Sequence, residues 1–501
     1  MSRRALATLL VAGALALLTS LLAALIAVPA DAAPAGVDQC YTCHHDGDTP
    51  QALAYTKDVH YQAGVTCADC HGGDPTREDK DEAMSPARGY RGKLRKSDIP
   101  AVCGRCHGAG PSEFHAKFGL TDVADSLAAG AHGEALRESE QGPQCVSCHG
   151  VHDIAHVEDP VSPVSPGRIA KTCAGCHADA RYMRDFNPRL PVDQYAKYLT
   201  SVHGRLNAQG DPRPATCVSC HSNHLVYPVK DPRSPVYATR VPETCAKCHS
   251  NPRTMAGYHI PTNQYELYRK SPHGVALLQH SDLNAPACNS CHGNHGAAPP
   301  GAAEVVAVCA NCHQANGELF QRSAHRDAFA KRNLAGCVVC HGNHGIAPPS
   351  DDLVGLAAPA PCARCHVDGP SDPNAGVIRH MRALLDSLRT GQVNADRMLD
   401  RASQLGMDVA DAQYDLKDVH QALVQSRVAI HSFKLNELAD AIHPGIGVLA
   451  TARKSAEDAI HDYYFRRQGL AVSTLIVTIV AVLLYLKIRE IERRQRERDE
   501  C

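Results

Sequence analysis

The pattern Cys-x-x-Cys-His occurs eleven times between Cys40 and His366, and nothing else in the chain constrains its fold so tightly. Two thiols three positions apart lie on one turn of backbone and can each add across a haem vinyl group. The adjoining imidazole reaches the iron from the same side. The motifs are Cys40/Cys43/His44, Cys67/Cys70/His71, Cys103/Cys106/His107, Cys145/Cys148/His149, Cys173/Cys176/His177 and Cys217/Cys220/His221. They continue with Cys245/Cys248/His249, Cys288/Cys291/His292, Cys309/Cys312/His313, Cys337/Cys340/His341 and Cys362/Cys365/His366. These use 22 of the 23 cysteines and leave Cys501, so no disulfide framework competes for the thiols. Tetrahedral zinc also takes paired Cys-x-x-Cys elements, but it does not require His after every second Cys. All eleven pairs have that His, so the expected cofactor is haem c, covalently attached at eleven places.

A chain of 501 residues ordinarily builds several apolar cores, yet this one has no Trp and only 7 Phe, with 32 Pro and 37 Gly. Residues 40–366 allow about 30 residues per motif, enough to wrap a macrocycle but not to surround it with a sheet or bundle. The fold expected is mainly α with much irregular coil. A haem-wrapped multihaem core comes first, followed by a C-terminal helical stalk and one transmembrane helix. The formal net charge of -2 understates the acidity of the loaded protein. Each haem brings two propionates, so eleven add roughly 22 negative charges. No basic block points to nucleic acid.

The two ends suggest export and anchoring. Residues 1–32 read as a signal peptide: Arg3 and Arg4, an apolar run from Ala5 to Val28, then Ala30-Asp31-Ala32 as a cleavage site. Gly469 to Leu486 is an 18-residue apolar stretch without a charge, flanked by Arg466 and Arg467 and by Lys487, Arg489, Arg493, Arg494, Arg496 and Arg498. The positive residues after it place the tail in the cytoplasm and the haem domain in the periplasm, on the outer face of the inner membrane. The expected division is a signal peptide at 1–32, an undecahaem domain at 33–370, a helical stalk at 371–467, a transmembrane helix at 468–487 and a cytoplasmic tail at 488–501.

After an isolated first motif at Cys40, the other ten form five two-haem units, each with an upstream His, a first motif and a second motif. The upstream residues are His60, His132, His203, His273 and His325. Four first motifs continue as Cys-His-x-x-His, adding His152, His224, His295 and His344. An imidazole on the same turn as the proximal one cannot cross to the opposite face of the same porphyrin, so it is expected to serve the partner haem. These nine are the distal candidates, and His45, His115, His156, His259 or His280 could supply the remaining two. The first unit departs from the pattern, with Gly72-Gly73-Asp74 after His71, so one of its irons needs a ligand from elsewhere. Leu190-Pro191 through Ser201-x-His203-Gly204 matches Ile260-Pro261 through Ser271-x-His273-Gly274, which suggests a short Tyr-bearing helix that presents the distal His. Beyond residue 370, Val377, Met381, Leu384, Leu385 and Leu388, then Leu416, Val419, Leu423 and Val428, then Leu435, Leu438 and Ile442 mark the apolar faces of three or four helices. Breaks are expected at Gly391, Gly406 and Pro444-Gly445; of the stalk histidines His380, His420, His431, His443 and His461, one or two could reach back to cap a haem, with solvent or helix packing the leading expectation.

Over residues 36–370 the arrangement resembles the multihaem c-type cytochromes with paired Cys-x-x-Cys-His motifs. That group includes tetrahaem cytochromes, pentahaem nitrite reductase and octahaem hydroxylamine oxidoreductase. The resemblance implies closely spaced haems, stacked or perpendicular, forming one conducting chain. The chain has no Cys-x-x-Cys-Lys motif, which marks the active haem of many nitrite reductases, and this departure puts that activity in doubt. The leading expectation is a membrane-anchored periplasmic cytochrome that carries electrons in anaerobic respiration. Its donor would be a quinol-oxidising or other redox protein, and its acceptor an exported cytochrome or reductase. The alternatives are a reductase or oxidase of nitrite, hydroxylamine or a sulfur oxyanion at an open haem, and direct quinol oxidation at the membrane surface.

Overall fold

The computed structural model describes residues 38–109 and 122–499; the expected signal at 1–32, together with His115 and Cys501, lies outside them. Among the described residues the structure is helical, with no strand. Up to residue 366 the helices are short, and those that carry a motif carry one each.

First motifs sit on single turns: Cys67–His71, Cys145–His149, Cys217–His221, Cys288–His292 and Gly336–His341. Each turn ends abruptly on the following residue, whose φ is positive: Gly72, Gly150, Ser222, Gly293 and Gly342. Second motifs close longer helices, Ile99–His107, Ile169–His177 and Val241–His249, whose first turns bury Val102, Ile169 with Ala170, and Val241 with Pro242.

The upstream histidines lie on their own short helices, including Val59–Gln62, Ala131–Glu138, Val202–Ala208, Pro272–Leu278 and Ala324–Lys331. The expected single Tyr-and-His helix is two helices, Gln194–Thr200 and Val202–Ala208, broken at Ser201. Ser201 is fully buried; its hydroxyl donates to Tyr198 O and accepts from Gly204 N–H at 2.9 Å, which caps the second helix. A Cβ on Gly204 would stand 2.0 Å from Tyr198 O, so the residue after the distal His must be glycine for the helices to meet.

The chain divides into two compact units, residues 1–265 with 281–298, and residues 266–280 with 299–501. In the second unit three long helices follow the last motif: Ala375–Gln404, Ala410–Ala429 and Leu435–Asp499. Met381, Leu385, Leu388, Leu399, Leu416, Val419, Leu423, Leu438, Ile442 and Leu449 form their common apolar core. Gly406, at φ 77, is a break as expected. Gly391 is not: its missing Cβ makes room for Leu449, whose Cδ1 would lie 2.6 Å from it. Nor do Pro444 and Gly445 interrupt the last helix, since Gly445 packs against Ala422 and Leu388 while Leu438 and Ile442 are fully buried. That packing outweighs the cost of an interior proline, about 3 kcal/mol. Asp351, just after the Cys337 motif, is buried and accepts from Arg427 Nε at 2.9 Å, tying the haem-bearing segment to the stalk. The last helix contains an 18-residue window of mean hydropathy 2.5, none of it buried, and is long and apolar enough to cross a membrane.

Candidate haem centres

An imidazole nitrogen stands about 2 Å from a bound first-row metal, so with ~1 Å more to each ring centre, two imidazoles on opposite sides of one iron have centroids about 6 Å apart. Among the described residues at least nine histidine pairs have this spacing, with centroids 6.0–6.2 Å apart, and each contains one motif histidine. The residues present therefore fit a group that needs two trans imidazoles.

The pairs obey two rules. In five of them a second-motif histidine meets the upstream histidine of its own unit: His107 with His60, His177 with His132, His249 with His203, His313 with His273 and His366 with His325. Their ring planes are inclined, at 88°, 48°, 60°, 36° and 69°. In the other four a first-motif histidine meets an imidazole from further along the chain: His71 with His152, His149 with His224, His221 with His295 and His341 with His431. Their planes are close to parallel, at 23°, 11°, 8° and 21°.

The second rule corrects the expectation that the Cys-His-x-x-His imidazole serves its own unit. It lies against the first-motif histidine of the preceding unit, because the sharp turn after the proximal histidine carries the loop away from its own motif. Backbone bonds hold that loop in place: Val59 N–H donates to Ile154 O, Ala131 N–H to Val226 O and Val202 N–H to Ala297 O, at 2.8–3.1 Å. In the repeat, His344 stands where His152, His224 and His295 stand, and His292 where His71, His149 and His221 stand.

Sequence reasoning leaves His431 among five stalk histidines of which one or two could cap a haem, and prefers helix packing for it. This residue occupies a place for which His45, His115, His156, His259 and His280 are the reserves. Its signal is positional: no further motif follows His366, so the last first motif must draw its second imidazole from the stalk.

Several rings are fixed through Nδ1. His60 Nδ1 bonds Asp58 at 2.8 Å, His71 Nδ1 bonds Gly92 O at 2.8 Å, His366 Nδ1 bonds Asp372 at 2.9 Å and His431 Nδ1 bonds Val428 O at 3.0 Å. Such partners orient a metal ligand and, when they are carboxylates, make it more basic. Burial pushes His132, His177, His203 and His221 below the usual imidazole range, which favours the neutral form that can ligate.

No disulfide joins any of the 22 motif cysteines, and their thiols show which motifs are neighbours. Cys103 bonds Cys145, Cys173 bonds Cys217, Cys245 bonds Cys288 and Cys309 bonds Cys337. In each case the first thiol of a second motif touches the first thiol of the next unit. These contacts lower Cys145, Cys217 and Cys337 and raise Cys103.

The two thiols are enclosed unequally in five of the eleven motifs. Every first cysteine is half-buried, whereas Cys43, Cys70, Cys291, Cys312 and Cys365 are exposed second cysteines. Cys106, Cys148, Cys176, Cys220, Cys248 and Cys340 are half-buried. The first thiol lies against a neighbouring motif, but the second sits where the chain is about to leave its turn, so less of the chain covers it. Those second thiols that are covered have neighbours: Cys106 lies beside Cys70, and Cys248 beside Cys220. Cys176 adjoins Tyr182, whose hydroxyl is held up at about 12 by burial and by that thiol.

Three stretches match known families: the class III cytochrome C family over residues 257–366, cytochrome c3 over residues 59–179, and cytochrome c554 and c-prime over residues 27–72. No curated protein and no solved structure matches the chain. The matched stretches are those of multihaem cytochromes c, which carry covalently bound haem c and transfer electrons.

Proposed function

We propose that this chain is a membrane-anchored electron conduit holding eleven haems c at the eleven Cys-x-x-Cys-His motifs, with all but one of the irons closed by a second protein imidazole. The observation that carries the reading is the set of nine imidazole pairs at 6.0–6.2 Å. Haem iron, when bound, supplies one-electron exchange, and two imidazoles keep it low-spin without the rise in potential that methionine brings. The thiol contacts support a chain-order arrangement, since they join the end of one unit to the start of the next.

The Gly469–Leu486 stretch and the basic residues after it support a single span with the tail in the cytoplasm and the haems outside. A quinol-oxidising or other redox protein is the donor that fits this placement, and an exported cytochrome or reductase the acceptor.

Pyridine haemochrome analysis of the purified holoprotein should return eleven haems, and EPR during redox titration should show low-spin iron in two families. Near-parallel imidazole planes split the iron d orbitals that overlap them, whereas inclined planes leave those orbitals nearly degenerate. A more rhombic family is therefore expected beside a more axial one. Far fewer haems, or a mainly high-spin spectrum, would sink the reading.

A further inference from the structure

We infer that the iron at Cys40/Cys43/His44 keeps its sixth position open to small lone-pair, π-accepting ligands, of which carbon monoxide and nitric oxide are the simplest. The two rules that supply a second imidazole elsewhere both fail here.

The inner rule draws it from 40 to 47 positions before the proximal histidine, as in His273 to His313 and His60 to His107. That rule serves second motifs, and Cys40/Cys43/His44 stands alone ahead of the first unit. The relay rule draws it from the third position after the proximal histidine of the next first motif, as His152 follows His149. Counted from His71, that position is Asp74.

The loop does reach the first motif. Pro75 O accepts from the N–H of Gln39, the first residue of helix Gln39–Asp46, at 2.8 Å. What it carries there is a carboxylate already engaged by Thr76 Oγ1 at 2.7 Å and by Arg88 at 2.7 Å. His45 cannot substitute: it shares the helix turn of His44, and its ring packs on Tyr41 at 5.0 Å. Among the described residues no imidazole faces His44, and its side chain is exposed. Tyr41, Tyr55 and Tyr61 form an aromatic cluster beside this motif, with centroids 5.3 Å and 5.6 Å apart along the series.

The test uses the full-length holoprotein, reduced and titrated with carbon monoxide. About one equivalent should bind per eleven haems, with a correspondingly small Soret shift, and the oxidised protein should show a single high-spin signal. The C40A/C43A variant, which cannot attach this haem, should lose carbon monoxide binding and keep the other haems. No binding to the wild-type protein overturns the proposal without any variant. So does binding that persists in C40A/C43A, or binding that arises only in H115A, which would make His115 the sixth ligand. A chain with every iron closed would still conduct electrons, so failure here leaves the conduit reading standing, whereas loss of the eleven haems would fail both.

Discussion

The stalk and the haem-bearing region are both helical, but only one of them has a core of its own. Leu388, Leu399, Leu438 and Ile442 are fully buried in a continuous cluster shared by three long helices. Before residue 366, buried apolar side chains occur one or two to a helix, as at Val102, Ile169 and Val241, while Asp58, Ser162, Ser201 and Ser234 are as deeply buried as any of them. The stalk is held by side chains packing on each other. The region before it is held by polar caps, turns and backbone bonds arranged around space for macrocycles, so it depends on the cofactor for its apolar interior.

The largest effect that can break this contrast is removal of the cofactor. Chain made without haem attachment should lose the folded state of residues 40–366 and retain the stalk helices, which hydrogen exchange would resolve segment by segment; protection of both regions would refute it. Next in size, Leu388→Ala should destabilise the stalk by about 2–5 kcal/mol while the haem spectrum stays unchanged, as followed by thermal melting at helical and Soret wavelengths.

His431→Ala probes the junction. It should open the iron at Cys337/Cys340/His341 to carbon monoxide, adding one binding site, and cost the stalk no more than about 1.5 kcal/mol from the lost Val428 contact. The smallest change is Ser222→Gly. Ser222 sits at φ 70 and ψ 173, a region that essentially only glycine adopts and that Gly72, Gly150, Gly293 and Gly342 occupy in the other units. Relief of that strain should stabilise the haem-bearing region by about 1 kcal/mol in denaturant titration, with the stalk unaffected.

Much of this was legible from residue spacing. The motifs, the two-haem repeat, the upstream histidines and the apolar faces at Met381, Leu385 and Leu388 follow from periods along the chain. What was not legible depends on where a loop goes after it leaves its motif. His152 and His224 were named as ligand candidates, but which rings they face depended on the turn at Gly150 and Ser222 and the backbone bonds at Ile154 and Val226. The motif pattern also treats its two cysteines as equals, and only the fold separates a half-buried Cys288 from an exposed Cys291. His431 was hidden among stalk residues, because a helix histidine carries no mark of what it faces. Gly391 and Pro444 misled for the opposite reason: local propensity argued for breaks, and tertiary packing against Leu449, Ala422 and Leu388 overrode it.

The unbroken helix from Leu435 to Asp499 also acts as a ruler. At 1.5 Å per residue, the 34 steps from Leu435 to Gly469 span about 50 Å before the charge-free stretch begins. With that stretch sunk in lipid, an iron facing His431 rides at the top of a tall mast. A carrier dissolved in the bilayer cannot touch it there, so whatever delivers charge to that iron must itself rise far above the membrane or arrive by another haem.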